Sequence, residues 1–464
     1  MDRFEERRKQ LLEECQIDVE QLKGAWDRIS QFLEPFLASL GTPKRIEFAT
    51  QYVVGLTSDL QRKNIESIAY LHDQDRQPLQ RFIGQMQWDH RPMLMELARQ
   101  VGTTIGEADG VIVFDPSGHA KQGTHSVGVN RQWNGRHGKV ENCQVGVYMG
   151  YASSQEHVLV NQRLYLPQDW TKDRSRLDAC GVPCDVKFST RLNLSLDMLD
   201  EQGPLLPHSW IAGDDEFGRS TQFRRDLRAR NERYMLAVPS NTLVRDLEGG
   251  AASEWQDSGP PANPFVRVSA LREALTDDDW VRVDVRDAEK GPLIVHVAIR
   301  RVLAITEKKN PSAEETLVII RRGDENGKLV HDYYMSNGDR QTPAKEFARV
   351  ATAQHRIEEC IKRAKSEAGL SDYETRTWWG WHHHQTLSMM ATWFLVLETR
   401  MGKKNHASSD RSTGPRSIGH DVARRNRVTR TRTNRAQLSA TIGTKRTRTL
   451  LPPQKTQILA TTTS

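Results

Sequence analysis

Two short apolar runs, each ended by an aspartate, constrain this chain more than any other feature. Val111-Ile112-Val113-Phe114 is unbroken hydrophobic sequence that stops at Asp115-Pro116-Ser117-Gly118, and Trp210-Ile211-Ala212-Gly213 stops at Asp214-Asp215. A run without polar alternation reads as a strand covered on both faces. In open α/β sheets, ligands bind beyond the carboxyl ends of such strands. A carboxylate placed there is partly stripped of water, which is costly unless a cation or base neutralises it. Two of them meeting would form a hard-oxygen site, suited to Mg2+ or Mn2+ rather than zinc. The plainer reading is that each Asp only caps the turn or helix that follows it.

The surrounding pattern supplies a fold. Strand-like stretches at 144–151 and 157–165 follow Asp115, with a Gly-bearing, basic loop over 121–138 before them. Helical spacing returns at 188–201, and a helix over 221–231 leads into a further buried strand at 234–238. Strand, helix and strand in this order imply a parallel pair and an α/β core. Residues 240–340 break the alternation with β-rich stretches at 280–285, 293–303 and 316–321, ahead of a long helix at 343–367. The expected organisation is a helical N-terminal region over 1–105, a core begun over 106–240, a β-rich insertion over 241–340, and final core helices over 341–400. Residues 401–464 form a tail.

Charge sets the tail apart. The chain has 66 Lys and Arg against 60 Asp and Glu, a net +6. Residues 402–464 hold 14 of the basic residues and 2 of the acidic ones, so the tail carries +12 and the remainder −6. A tail so poor in apolar residues is expected to be disordered and able to neutralise a polyanion, or to act only as a solubilising extension. In the N-terminal region, Gln61-Arg62-Lys63-Asn64 reads as a basic loop entering a helix at Ile65, with a second helical pattern at 78–86 exposing Arg81. Such short helices suit a helix-turn-helix DNA reader, while an ordinary bundle with a basic surface is the plainer alternative. From the charged start no secretory leader is expected, and the longest apolar-leaning run, 387–397, is too short to span a membrane. Five cysteines in a chain this long argue for a reducing cytoplasm and against a disulfide scaffold.

A third acid lies in Arg356-Ile357-Glu358-Glu359-Cys360-Ile361-Lys362-Arg363-Ala364-Lys365. Glu358 and Lys365 are seven apart, so two helical turns place them on one face. Ile357 and Ile361 flank Glu358, so this stretch is not expected to be wholly solvated, whereas Glu359 and Lys362 read as surface residues.

Four passages together resemble the DDE transposases of bacterial insertion sequences. Residues 111–118 resemble the first-strand motif, and Asp214-Asp215-Glu216-Phe217-Gly218 is similar to the family's Asp-x-x-(Tyr/Phe)-Gly, which makes Asp214 the second acid. Glu358 with Lys365 resembles the Glu-x6-Lys part of the final-helix signature, followed by its downstream companion at 369–384. Arg163-Leu164-Tyr165-Leu166-Pro167-Gln168-Asp169-Trp170 resembles a linking element of one branch. The likeness covers roughly residues 60–395.

The resemblance implies a ribonuclease H-like core. It makes Asp115, Asp214 and Glu358 catalytic and metal-holding, with Lys365 on a DNA phosphate. Two Mg2+ ions, for which Mn2+ substitutes, would serve phosphodiester cleavage and joining. The implied partners are double-stranded transposon-end and target DNA, in a synaptic homodimer within the bacterial cytoplasm at the nucleoid. Where many relatives place Tyr and Arg, seven and four residues before the Glu, this chain has Ala351 and Gln354; Arg356 is a steric substitute. Alternatives are a DNA-binding protein of this descent without catalysis, or a structure-selective nuclease of the same fold.

Lys121, His125, Arg131, Arg136, His137 and Lys139 form a cluster that either grips phosphates or is a solvated loop. Arg62, Lys63, Lys121, Arg131 and Arg356 are the candidate nucleic-acid contacts. Trp378, Trp379 and Trp381 with His382-His383-His384 read as packing, with base stacking by one Trp as the alternative. Three consecutive helical histidines point in different directions and cannot share one ion. Cys180 and Cys184 lack a second ligand pair. The absence of a Gly-Lys-Ser/Thr phosphate loop argues against nucleotide hydrolysis.

Overall fold

The computed structural model describes residues 25–135, 137–248, 264–288, 291–305, 311–323, 327–339 and 341–409. The expected basic tail falls almost wholly outside these residues, as do Cys15 and Arg136. The chain divides into two compact units, one holding the described residues up to Phe82 with Asp372–Glu374 and the chain from Phe394, the other Ile83–Ser371 with Thr375–Trp393. Helix Arg91–Ile105 thus belongs to the larger unit.

In the smaller unit, helices Ala25–Leu37, Pro43–Thr57 and Ile65–Leu71 pack with the end of helix Trp378–Ser409. Phe32 and Phe394 meet with ring centroids 5.2 Å apart, and Arg28 grips Glu398 through two bonds of 2.9 and 2.8 Å. Asn64 caps its helix by accepting from the Ser67 amide at 2.9 Å.

The larger unit is built on one mixed sheet whose described strands are β1 (Val111–Ala120), β2 (Asn130–Asn134), β3 (Lys139–Ala152), β4 (His157–Tyr165), β5 (Trp210–Gly213), β6 (Tyr234–Val238), β7 (Leu243–Asp246), β8 (Val266–Arg267), β9 (Val281–Ala288), β10 (Gly291–Ile305), β11 (Pro311–Gly323) and β12 (Leu329–Ser336). Their order is β2-β3-β1-β5-β6-β12-β11-β10-β7-β8, with β4 beside β3 and β9 beside β10. The centre, β1, β5 and β6, is parallel. Its residues Val111 to Phe114, Trp210 to Ala212 and Tyr234 to Leu236 are buried, as unbroken apolar runs require.

This is the α/β, ribonuclease H-like core that the sequence pattern and the resemblance imply. The β-rich segment is not set apart from it: β12 pairs antiparallel with β6, and β11 and β10 extend the same sheet. The extension has its own cluster, in which Val244, Val268, Val302, Leu317, Ile319 and Met335 pack together. Helix Ala344–Glu367 crosses β1, β3, β4, β5 and β10. Its Ile357 seats against Gly150 of β3, where a Cβ would lie 3.3 Å from the isoleucine Cδ1.

Candidate active site

Backbone register brings the first two acids together. Phe114 of β1 stands opposite Gly213 of β5 in parallel pairing, so the next residues, Asp115 and Asp214, lie side by side; β5 ends at Gly213, but β1 runs on through Asp115 to Ala120 because β3 continues to pair with it, which corrects the expectation of a strand end at Asp115. Asp214 also caps the short helix Asp215–Arg219, its Oδ1 accepting from the Glu216 amide at 3.0 Å. The capping reading thus holds for it. Behind the cap, Phe217 and Gly218 press against β6; a Cβ on Gly218 would meet the Ala237 carbonyl oxygen at 1.8 Å.

That turn is held from the β-rich segment. Arg224 donates to the Gly218 carbonyl and forms a forked pair with Glu315 of β11, at 2.7 and 3.1 Å. Both partners are buried, and the Tyr234 hydroxyl donates to Glu315 at 2.6 Å.

The third acid comes from helix Ala344–Glu367. Glu358 is exposed, while Ile357, Cys360 and Ile361 around it are buried, so the stretch is not wholly solvated. Two turns on, Lys365 donates to Ser117 Oγ at 2.8 Å. Ser117 shares one face of β1 with Asp115 and His119, since side chains alternate along a strand. His119 continues the polar face, bonded to the Tyr148 hydroxyl at 2.7 Å, which donates to Gln385 at 2.8 Å.

Electrostatics link these acids. Burial pushes the Asp115 carboxyl well above the usual range, and the charges of Asp214, Glu358 and Glu216 push it further, against Lys365. Asp214 is pushed up to about 6, by burial first and then by Glu216. Glu216 receives Arg191 at 2.6 Å, and that guanidinium lies 4.9 Å over the Tyr165 ring. The 163–170 passage thereby reaches the acids, and its Trp170 is anchored by an indole bond of 2.8 Å to the Val129 carbonyl.

A donor set made of carboxylates suits a hard divalent ion, and the repulsion that raises Asp115 is what a cation relieves. Among the described residues, no three His, Cys, Asp or Glu side chains stand at ion-holding spacing. The exposed Glu358 side chain must turn inward for a three-carboxylate grip.

Other candidates divide. Lys63 is buried and donates to the Leu56 carbonyl at 2.6 Å, so it offers no ammonium to a nucleic acid. Arg356 stands about 200° around the helix from Glu358 and bonds His157 at 3.2 Å, so it does not replace the missing arginine beside the acids. Ala351 is buried, and Gln354 Oε1 is buried without a hydrogen-bond partner. Arg62 and Arg131 are exposed and Lys121 is half-buried. The three histidines are packing residues: His382 bonds the Trp378 carbonyl, His383 those of Ile83 and Trp88, and His384 that of Gly369. Burial lowers their pKa values to about 3, 4 and 4. Cys180 is buried and Cys184 exposed, both as thiols.

Sequence reasoning passed over Ser117, His119 and Glu216. The signal for the first two was strand alternation from Asp115, and for Glu216 its place in the first turn after Asp214.

Among known proteins, the profile of a family described as DDE superfamily endonuclease matches residues 35–292, which include Asp115 and Asp214 and stop short of Glu358. No curated protein matches the chain. A piggyBac transposase in a synaptic complex with hairpin DNA, solved by cryo-EM, aligns with 94% of this chain and 83% of its own at 13% identity and a TM-score of 0.41.

Proposed function

Because this chain belongs to the DDE superfamily endonucleases, we propose that it is a DNA transposase of an insertion sequence, cutting and joining phosphodiester bonds with Asp115, Asp214 and Glu358. The observation that carries the reading is the pair of acids set side by side by the parallel pairing of β1 and β5, with a raised Asp115 that senses Asp214 and Glu358.

Divalent ions, Mg2+ with Mn2+ as substitute, would be held by these three carboxylates and would supply charge stabilisation and a more acidic attacking hydroxyl. The chain's own residues do the rest. Asp115 and Asp214, fixed by strand register and by the helix cap, define where the scissile phosphate must sit. Lys365, steered by Ser117, places a positive charge on the same β1 face, where it offsets charge growing on the phosphate oxygens. In the first step water oxygen bonds to phosphorus and the bond to the 3′-oxygen breaks, freeing a 3′-hydroxyl. In the second that hydroxyl bonds to a target phosphorus and displaces the target's own 3′-oxygen. Both are in-line displacements, so one centre serves excision and insertion.

The smaller unit with Arg62, and the Lys121 and Arg131 cluster, would contact DNA, and two copies would pair the two ends. The test is cleavage of DNA bearing the element's ends, followed by joining to a supplied target. Asp115→Ala is expected to abolish both while DNA binding survives. Cutting by the variant at the parent rate overturns the assignment. Cutting without any joining of a supplied 3′-hydroxyl would indicate a nuclease instead.

A further inference from the structure

Between β1 and β3 the chain makes a two-stranded ribbon whose outer face is unusual. Trp133 and Val140 are cross-strand partners, and they are 58% and 51% exposed. Arg131, two residues before Trp133 and on the same face, is also exposed and forms no ion pair among the described residues. Residues 121–142 contain Lys121, Arg131, Arg136 and Lys139 against Glu141 as their one acid, within a body that is net negative before its tail. Glu141 is already engaged by Asn134 at 2.6 Å and by His137 and Lys139.

The inner face is built to hold this display still. Gln132 is buried and donates to the Gly128 and Cys143 carbonyls at 3.3 and 3.0 Å. Asn134 is 1% exposed and lies so close to β1 that a Cβ on Gly118 would be 2.6 Å from its Oδ1. The ribbon is therefore seated on the strand that carries Asp115, three residues away. Gln132 Nε2 and Asn134 Nδ2 are thus bonded to the flanking backbone and to Glu141, while Gln132 Oε1 is buried without a partner; buried amides tied in this way favour one conformation, which a solvated loop has no need of.

We propose that the outer face of the β2–β3 ribbon docks on duplex DNA, with Arg131 on backbone phosphate and Trp133 and Val140 against the sugars and base edges of one groove. Charge selects this occupant: a basic ribbon on an acidic body suits a polyanion, and a two-stranded ribbon has the width of the major groove. The apolar pair explains why the face is not simply cationic, since phosphate contacts position while edge contacts read the groove.

The proposal rests on the transposase reading, and the experiment keeps the two apart. The full chain is titrated, over a series of salt concentrations, against a labelled duplex taken from the DNA flanking the gene. Arg131→Ala should weaken binding and lower the slope of log affinity on log salt by about one. Trp133→Ala should weaken binding by about tenfold with the parent slope. Circular dichroism and thermal melting of both variants should match the parent, because both side chains are exposed. If both variants bind as the parent does, or if Trp133→Ala alters only self-association in sedimentation, the docking surface is overturned. Asp115→Ala in the same titration should bind as the parent while failing to cut. Loss of cutting there, with unaltered ribbon variants, sinks the ribbon proposal alone; undiminished cutting there sinks the transposase reading alone.

Discussion

Lys365 Nζ donates to Ser117 Oγ at 2.8 Å, which ties helix Ala344–Glu367 to the strand that carries Asp115. A lysine on a mobile four-carbon stem is a poor positioning device by itself. The serine hydroxyl, two residues from Asp115 on one strand face, gives it a fixed direction.

This bond makes a double-mutant cycle informative. Ser117→Ala is expected to lower kcat by about tenfold with little change in KM, and Ser117→Thr to retain most activity. On a Lys365→Ala background, Ser117→Ala should cost little more, because the pair acts as a unit. Additive losses would mean that the serine acts on something other than the lysine.

The acids set a pH-dependent stability. Asp214 is pushed up to about 6 and Asp115 is raised as well. A carboxyl whose folded pKa exceeds its unfolded value stabilises the protein at low pH, and that contribution disappears as pH rises through the folded pKa. Without divalent ions, Asp214→Asn, which preserves the helix cap, should therefore melt a few degrees above the parent near about pH 8. The advantage should vanish near about pH 4. Added Mg2+ should raise the parent's melting temperature near the higher pH and leave Asp214→Asn nearly unchanged. Melting curves that do not diverge with pH would contradict the electrostatic description.

The Arg224–Glu315 pair is buried at both ends and also holds the Gly218 carbonyl. Glu315→Gln leaves a buried guanidinium without its counter-charge and should cost about 3–5 kcal/mol, read from the denaturant midpoint. An Arg224→Met, Glu315→Leu double variant should recover much of that stability, yet cut more slowly, because the turn behind Asp214 loses its tie to β11.

The sequence and the structure agree where local signals were strong. Apolar runs ended by aspartate located β5 and the first half of β1, which continues past Asp115 to Ala120, and adjacency of Asp115 and Asp214 followed once the strands paired in parallel. The long helix was expected at 343–367 and spans Ala344–Glu367. Strand β2 was hidden because Asn-Arg-Gln-Trp-Asn has no apolar period, although its alternate residues are buried by amide hydrogen bonds. Strand β12 was not among the β-rich stretches expected, because His331 and Asp332 interrupt its apolar residues and Tyr333 and Tyr334 fall on opposite faces. Lys63 reads as a surface cation in any local window; its burial depends on a carbonyl seven residues earlier, at Leu56. The exposure of Glu358 depends on how far the helix rises over the sheet, which periodicity does not encode.

Glu358 is the acid with the least independent support, exposed and outside the matched stretch 35–292, and Glu359 beside it is 61% exposed with His157 at 3.3 Å. Parallel cleavage assays of Glu358→Ala and Glu359→Ala on the element's own ends are therefore decisive. Cutting should fall by about a thousandfold or more for Glu358→Ala with DNA binding intact, and stay within about threefold of the parent for Glu359→Ala. Equal losses, or a loss confined to Glu359→Ala, would contradict a centre formed by Asp115, Asp214 and Glu358.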